Sequence, residues 1–88
     1  MGIAAIGTLK DNYGKPRAHF VKKLEALDND ALVRETKERI WLSAYANNNP
    51  RSDYHWQADA CWDEAQRRGN PEIYKVAFNE TYREVAGG

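Results

Sequence analysis

The side chains with the most chemistry to offer sit in one stretch. His55, Asp59 and Asp63 recur at i, i+4 and i+8, which stacks them down one side of a helix. Imidazole and carboxylate are ligands for a divalent metal. A metal site needs three or four ligands converging on one point, with partners behind them. At 1.5 Å rise per residue the outer two of these lie about 12 Å apart along the axis. One ion cannot take all three, and the spacing describes a solvated polar face. His55 and Cys61 offer a base and a thiol. They stand about 9 Å apart along a helix axis, and helical periodicity turns Cys61 inward, where a cysteine is a small inert hydrophobe. No Gly-x-Ser-x-Gly, phosphate-cradling glycine loop or paired zinc-binding cysteine spacing occurs. The reading is non-enzymatic, with no catalytic residue, no metal and no cofactor.

Recognition chemistry is better represented. Three tryptophans and five tyrosines are many for 88 residues. On the third expected helix Trp62 shares the inner face with Tyr54, Ala58, Cys61 and Ala65. Trp56 lies about 160° from that face and shares its side with Asp59, Asp63 and Arg67. Trp41 and Tyr45 stack at i, i+4 on the second expected helix, beside Lys37 and Glu38 and away from its uncharged arc. Coverage by an N-terminal arm or a neighbouring helix accounts for these rings without any function. The functional alternative makes them anchors of a protein–protein interface, where Trp, Tyr and Arg are the usual hot-spot types and mixed charge forms the rim. The candidate contact residues are Trp56, Asp59, Asp63 and Arg67, with Trp41 and Tyr45 as a second patch. On that reading Trp56→Ala weakens binding by at least ~2 kcal/mol and leaves folding nearly unchanged.

Helices must position these groups. Gly2, Gly7 and Gly14 make residues 1–15 an arm rather than a helix, since glycine costs ~1 kcal/mol per helical position, and Asp11-Asn12-Tyr13-Gly14 reads as a turn. A single helical domain follows over residues 16–86. Its first helix runs from about Pro16 to Leu27, with Pro16 at the first helical position and Phe20, Leu24 and Leu27 on one face. Asp28-Asn29-Asp30 supplies a cap for a second helix from about Asp30 to Asn47. Leu32, Val33, Thr36, Ile40, Ser43 and Ala44 form its inner arc, and Glu35–Arg39 pair at i, i+4. Asn47-Asn48-Asn49-Pro50 stops it. Ser52 caps the third helix and Gly69 ends it. Asp63–Arg67 and Glu64–Arg68 read as outer ion pairs. Asn70-Pro71-Glu72 opens a fourth helix with Ile73, Tyr74, Ala77, Phe78, Thr81, Tyr82 and Val85 inward. The fold class is all-α, a compact bundle of about four short helices. Ala44, Ala58, Ala65 and Ala77 allow close approach, and Trp62, Phe78 and Phe20 fill the gaps.

Composition bounds the function. Thirteen basic and thirteen acidic residues give a formal net charge of zero. Duplex binding is largely phosphate neutralisation and wants a basic excess, so direct nucleic-acid binding is disfavoured. A helix-turn-helix reader also fits poorly. The connection over Asn47–Ser52 exceeds its 3–4 residue turn, and Asp59, Asp63 and Glu64 on the reading face would repel phosphate. One cysteine cannot form an internal disulfide. No run reaches the ~20 apolar residues of a membrane span, and the apolar start has no basic residue before it, as a signal peptide would.

Ser52-Asp53-Tyr54-His55-Trp56-Gln57-Ala58-Asp59-Ala60-Cys61 and Glu64-Ala65-Gln66-Arg67-Arg68-Gly69-Asn70-Pro71-Glu72-Ile73-Tyr74 carry a likeness. Over Trp41 to Phe78 the chain resembles short phage- or prophage-encoded helical proteins. Proteins of that size and origin include inhibitors of host defence of the anti-CRISPR type, a class without a shared motif, so no residue roles carry over. The resemblance implies a phage-derived protein that binds and sterically blocks a bacterial defence complex, a CRISPR effector foremost, in the cytoplasm of a bacterial host. The implied partner is a host protein or ribonucleoprotein complex. Two other readings stand beside it: a small dimeric DNA-binding regulator, and a structural homo-oligomeric phage accessory protein, for which a homodimer through the aromatic patches is the expected form.

Overall fold

The computed structural model describes the backbone of residues 9–87 and the side chains of residues 9–84. Four helices follow one another: α1 (Arg17–Glu25), α2 (Asn29–Tyr45), α3 (Asp53–Arg67) and α4 (Glu72–Gly87). The fold is all-α, and each boundary has a local cause. The expected arm falls outside the described residues before Leu9, and the inner position expected for Val85 falls outside the described side chains.

A tight turn leads into α1. The Asp11 carboxylate accepts from the N–H groups of Tyr13 (2.9 Å) and Lys15 (2.8 Å), and Gly14 takes φ +83°, which an L side chain rarely adopts. The turn brings Lys10 opposite Pro16, so the Leu9 carbonyl accepts from the Arg17 N–H (3.0 Å). That bond does the work of a side-chain cap, which Pro16 lacks. Pro16 therefore sits one place before the helix rather than at its first position. Asp28 caps α2 by accepting from the Ala31 N–H, and Ser52 caps α3 by accepting from the Tyr54 N–H. Gly69, at φ +69°, closes α3 with paired bonds from Asn70 N–H to the Ala65 carbonyl and from Gly69 N–H to the Gln66 carbonyl.

Packing radiates from α2, which lies most extensively against α3 and α4, while α1 rests on α3. Leu24, Leu32, Ala60, Cys61, Ala65 and Ile73 form the central cluster. Full burial of a leucine contributes about 1.5–3 kcal/mol, and Leu24 and Leu32 are both fully enclosed. Thr36 and Thr81 are also enclosed. Each hydroxyl donates to the carbonyl one turn back, on Leu32 and Ala77, so neither is stranded. Ala58, Ala65 and Ala77 are buried as expected, whereas Ala44 lies at the surface. Among the described residues no helix is long and apolar enough to cross a membrane.

A buried ionic cluster joins three helices. Glu64 is only 3% exposed. Its carboxylate accepts from Arg67 Nε and Nη2 and from Arg68 Nε, at 2.6–2.8 Å. Arg68 then donates through its remaining nitrogens to Asn29 Oδ1 and to the carbonyls of Leu24 and Leu27. Those carbonyls lie in the last turn of α1 and just past its end, where backbone donors run short, although the Leu24 carbonyl also accepts from the Leu27 N–H. One guanidinium therefore ties the end of α3 to the end of α1 and the start of α2.

This cluster corrects the expected register of α3. Glu64 is inside, not outside, and Arg67 pairs with Glu64 rather than Asp63. The buried residues are Ala58, Ala60, Cys61, Glu64 and Ala65. Trp56 and Trp62 are about 120° apart around a helix, so turning Glu64 inward moves Trp56 toward α1 and Trp62 toward solvent. The expected inward Trp62 and outward Trp56 are exchanged. The pair at Glu35–Arg39 forms as expected, at 2.9 Å.

Hydrogen bonds from Arg67 hold the Glu64 carboxyl below the usual carboxylate range, against its burial and with help from Arg68. A carboxyl depressed in the folded state stabilises the fold above its unfolded value and loses that contribution as pH falls through the folded one. Stability is therefore expected to decline as pH drops below about 4.3, the unperturbed value for glutamate. Arg68→Ala leaves Glu64 its two bonds from Arg67 but removes the donors to Asn29 and to the Leu24 and Leu27 carbonyls, so it should lose about 1–3 kcal/mol at pH 7 and flatten the acid dependence only in part. Urea unfolding of both proteins across pH 3–7 checks the two expectations together.

Candidate functional site

Rings from three helices meet on one face. Tyr74, Phe78 and Tyr82 recur every four residues on α4 and touch in series, with Tyr74–Phe78 centroids at 6.2 Å and Phe78–Tyr82 at 4.6 Å. Trp62 of α3 meets Tyr74 edge to face at 5.1 Å. These four rings form a ridge. On α2, Trp41 and Tyr45 stack nearly parallel at 5.4 Å. Between the two sets runs a groove of about 320 Å³ lined by Ile40, Trp41, Ala44, Tyr45, Thr81 and Tyr82. A second crevice, about 270 Å³, passes beneath Tyr74, Phe78 and Tyr82 toward His55 and Ala58.

Five of the exposed large apolar side chains gather on this face, the others described being Leu9, Tyr13 and Val76. Tyr45 is 79% exposed, Tyr82 60%, Trp41 45%, Trp62 42% and Phe78 39%. Phe78 and Tyr82 were expected inward. The stripe of α4 spans more of its circumference than α2 and α3 cover, so Ile73, Ala77 and Thr81 take the enclosed arc and the larger rings fall beside it. Ala44 and Ala58 are too short to roof the space next to them.

The expected contact residues divide. Trp41 and Tyr45 are exposed and stacked, as the i, i+4 spacing implies. Trp56 is half-buried against the central cluster, edge-on to Phe20 at 5.5 Å, with the Arg17 guanidinium 4.8 Å from its ring centroid. Its indole N–H donates to Asp53 Oδ1 at 2.9 Å. The Asp53 carboxylate also accepts from the Asn12 N–H, so the entry turn and Trp56 share one anchor. Trp56 is therefore a packing residue, and the expectation of a free ring there is corrected. Asp59 is exposed and Asp63 half-buried. Burial lifts the Asp63 carboxyl above its ordinary value, and the neighbouring Asp59 charge adds to the lift. Burial raises the Tyr74 phenol too, and Asp59 contributes again. Asp59, three residues from both Trp56 and Trp62 on α3, stands between the two rings. Arg67 keeps half of its side chain in solvent while holding Glu64.

Groups with catalytic or ligating chemistry are occupied otherwise. Cys61 is fully enclosed, and burial pushes its thiol up to about 11, so it stays protonated near neutrality. His55 Nε2 lies 2.9 Å from the Asn49 carbonyl, and Nδ1 lies 2.7 Å from Ser43 Oγ. A carbonyl only accepts, so Nε2 carries the proton and Nδ1 accepts from the Ser43 hydroxyl in the neutral ring. Both ring nitrogens are spent joining α2 to the turn before α3. Among the described residues no group of three His, Cys, Asp or Glu side chains is placed to hold a metal ion. In the sequence Ser43 belongs only to the uncharged arc of α2, and nothing in the spacing of the chain pairs it with His55.

No protein-family model, no curated protein and no solved structure matches the chain.

Packing and exposure give opposite expectations for two aromatic substitutions. Truncating a fully buried tryptophan costs about 3–5 kcal/mol. Trp56 is half-buried, so Trp56→Ala should lose about 2–3 kcal/mol, in place of the near-neutral effect expected of a free ring. Tyr45→Ala should stay within about 0.5 kcal/mol of wild type. Urea denaturation of the two variants measures both.

Proposed function

We propose that the chain is a non-enzymatic protein-binding domain that acts by covering a surface of a larger bacterial assembly. The observation that carries this reading is the face built from Trp41, Tyr45, Trp62, Phe78 and Tyr82, five large rings left open to solvent. Scattered apolar residues on a surface need no explanation, but a contiguous aromatic patch beside a groove is what interfaces use. Charged residues border it: Arg34, Lys37, Glu38 and Glu84 line a neighbouring crevice that shares Trp41 and Thr81 with the groove, Lys75 lies at the ridge, and exposed Asp59 stands three residues before Trp62. A mixed rim around an apolar centre suits a protein partner. It does not suit a phosphate backbone, which favours a basic stripe.

The resemblance of Trp41–Phe78 to small phage-encoded helical proteins supplies the class of target. On this proposal the partner is a component of a bacterial defence complex, foremost a CRISPR effector, and the mechanism is steric occlusion. The contact centre moves from Trp56 to Trp62, with Trp41 and Tyr45 retained and Asp59 and Asp63 at the border.

A hot-spot aromatic typically contributes at least ~2 kcal/mol, a factor of about thirty in affinity. The tagged chain, passed over lysate of a bacterium with an active CRISPR system, should retain an effector subunit in stoichiometric amount. Trp62→Ala should lose it, and Trp56→Phe, which keeps the packing, should not. Recovery of the bait alone, or equal capture by Trp62→Ala, contradicts the proposal.

A further inference from the structure

We propose that, in the absence of another partner, a second copy of this chain covers the aromatic face. A two-fold axis would seat the Trp62–Tyr74–Phe78 ridge of each copy against the Trp41–Tyr45–Tyr82 groove of the other. The inference rests on the face being a docking surface, and it assigns that surface a regulated state: self-association competes with partner binding.

Area is the first argument. An aromatic side chain offers about 150–250 Å². At the observed exposures the five open rings present about 400–650 Å². The largest apolar patch of a typical monomer is about 300–600 Å² and is often functional. One side of a standard stable interface buries about 800 Å². The rings alone supply more than half of that share. The groove floor at Ile40, Ala44 and Thr81 and the polar rim make up the rest. An interface of this size, with no further anchor, is a reversible one.

Shape is the second. An isologous contact must be complementary to itself: where residue i meets j, j also meets i. This face holds a ridge and a groove side by side. A two-fold rotation lays ridge over groove twice, and a groove of about 320 Å³ has room for a projecting ring.

Charge is the third. The formal net charge is zero, so two copies do not repel at long range. Asp59 of α3 stands three residues before Trp62, is exposed, and makes no ion pair among the described residues. The base beside the groove is Arg34, which lies near Trp41 and likewise makes no ion pair among the described residues. Charges of both signs thus stand unpaired at the rim, the condition for opposite charges to meet across a two-fold contact. A rim of one sign would oppose such pairing.

Sedimentation equilibrium of the purified full chain tests the proposal. Apparent mass should rise from one chain to two, and no further, between about 5 µM and about 500 µM, the range of a reversible contact. Tyr82→Lys should remain one chain throughout, with an unchanged circular dichroism spectrum. Tyr45→Lys, at the most exposed ring of this face, serves if the first variant misfolds. Asp59→Arg should weaken association at least several-fold, and adding Arg34→Asp should restore it. A wild type of one-chain mass at every concentration overturns the proposal. So does growth beyond two chains, or association of Tyr82→Lys and Tyr45→Lys as tight as wild type. Failure here is separate from failure of the proposed function. A permanently single chain that still captures an effector subunit removes only the self-association. A dimer that captures nothing removes only the effector as target.

Discussion

A carboxylate inside the bundle decides which way α3 is turned. Glu64 is almost wholly enclosed, and an unpaired charge there would be prohibitive. Arg67 and Arg68 neutralise it from the next turn of the same helix, and Arg68 reaches on to Asn29 and to the last carbonyls of α1. All three nitrogens of the Arg68 fork donate, in a planar geometry that a lysine could not reproduce. With a domain of this size expected near the low end of ~5–15 kcal/mol of net stability, one such cluster is a large share of what keeps three helix ends together. The placement of the aromatics follows from it. Once Glu64 points inward, Trp56 is carried under α1 and Trp62 is left at the surface beside Tyr74.

Local punctuation was legible because its causes are local. Asp28, Ser52 and Gly69 each serve a backbone group within a few residues, and each acts where the chain suggests. The Asp11–Gly14 turn was legible for the same reason. The inner arc of α2 was nearly so, since Leu32, Thr36 and Ile40 recur on one uncharged side. The face of α3 was not. Its arc is built from alanines and a cysteine, which pattern weakly, and it contains a glutamate that hydropathy assigns to solvent. Only the long reach of Arg68 to α1, some forty residues away in sequence, makes that glutamate an interior residue. Of the expected contact residues, Trp41 and Tyr45 are open because their stack depends on i, i+4 spacing alone. Trp56 is half-buried because Phe20 and Arg17 come from the remote α1 and Asp53 ties its indole N–H.

The aromatic face is the counterpart of that packing. The fold is completed by small side chains at Ala58, Ala60, Ala65 and Ala77, and two threonines satisfied within their own helices. Large rings left over by this arrangement gather on the α2–α4 side, where they touch each other more than they touch the core. Tyr45 and Tyr82 contribute little to the fold by their exposure, so the surface they form is free to serve recognition. Stability and binding thus rest on different residues: Glu64, Arg68 and Trp56 for the first, Trp41, Tyr45, Trp62 and Tyr82 for the second.

The exchange of Trp56 for Trp62 is the claim on which this division depends, and the three tryptophans report it directly. Hydroxyl-radical footprinting of the dilute chain, read by mass spectrometry residue by residue, measures how open each indole is. Trp41 and Trp62 should both be modified faster than Trp56. Modification of Trp56 at the rate of Trp41, with Trp62 protected, would contradict the orientation of α3 and everything built on it.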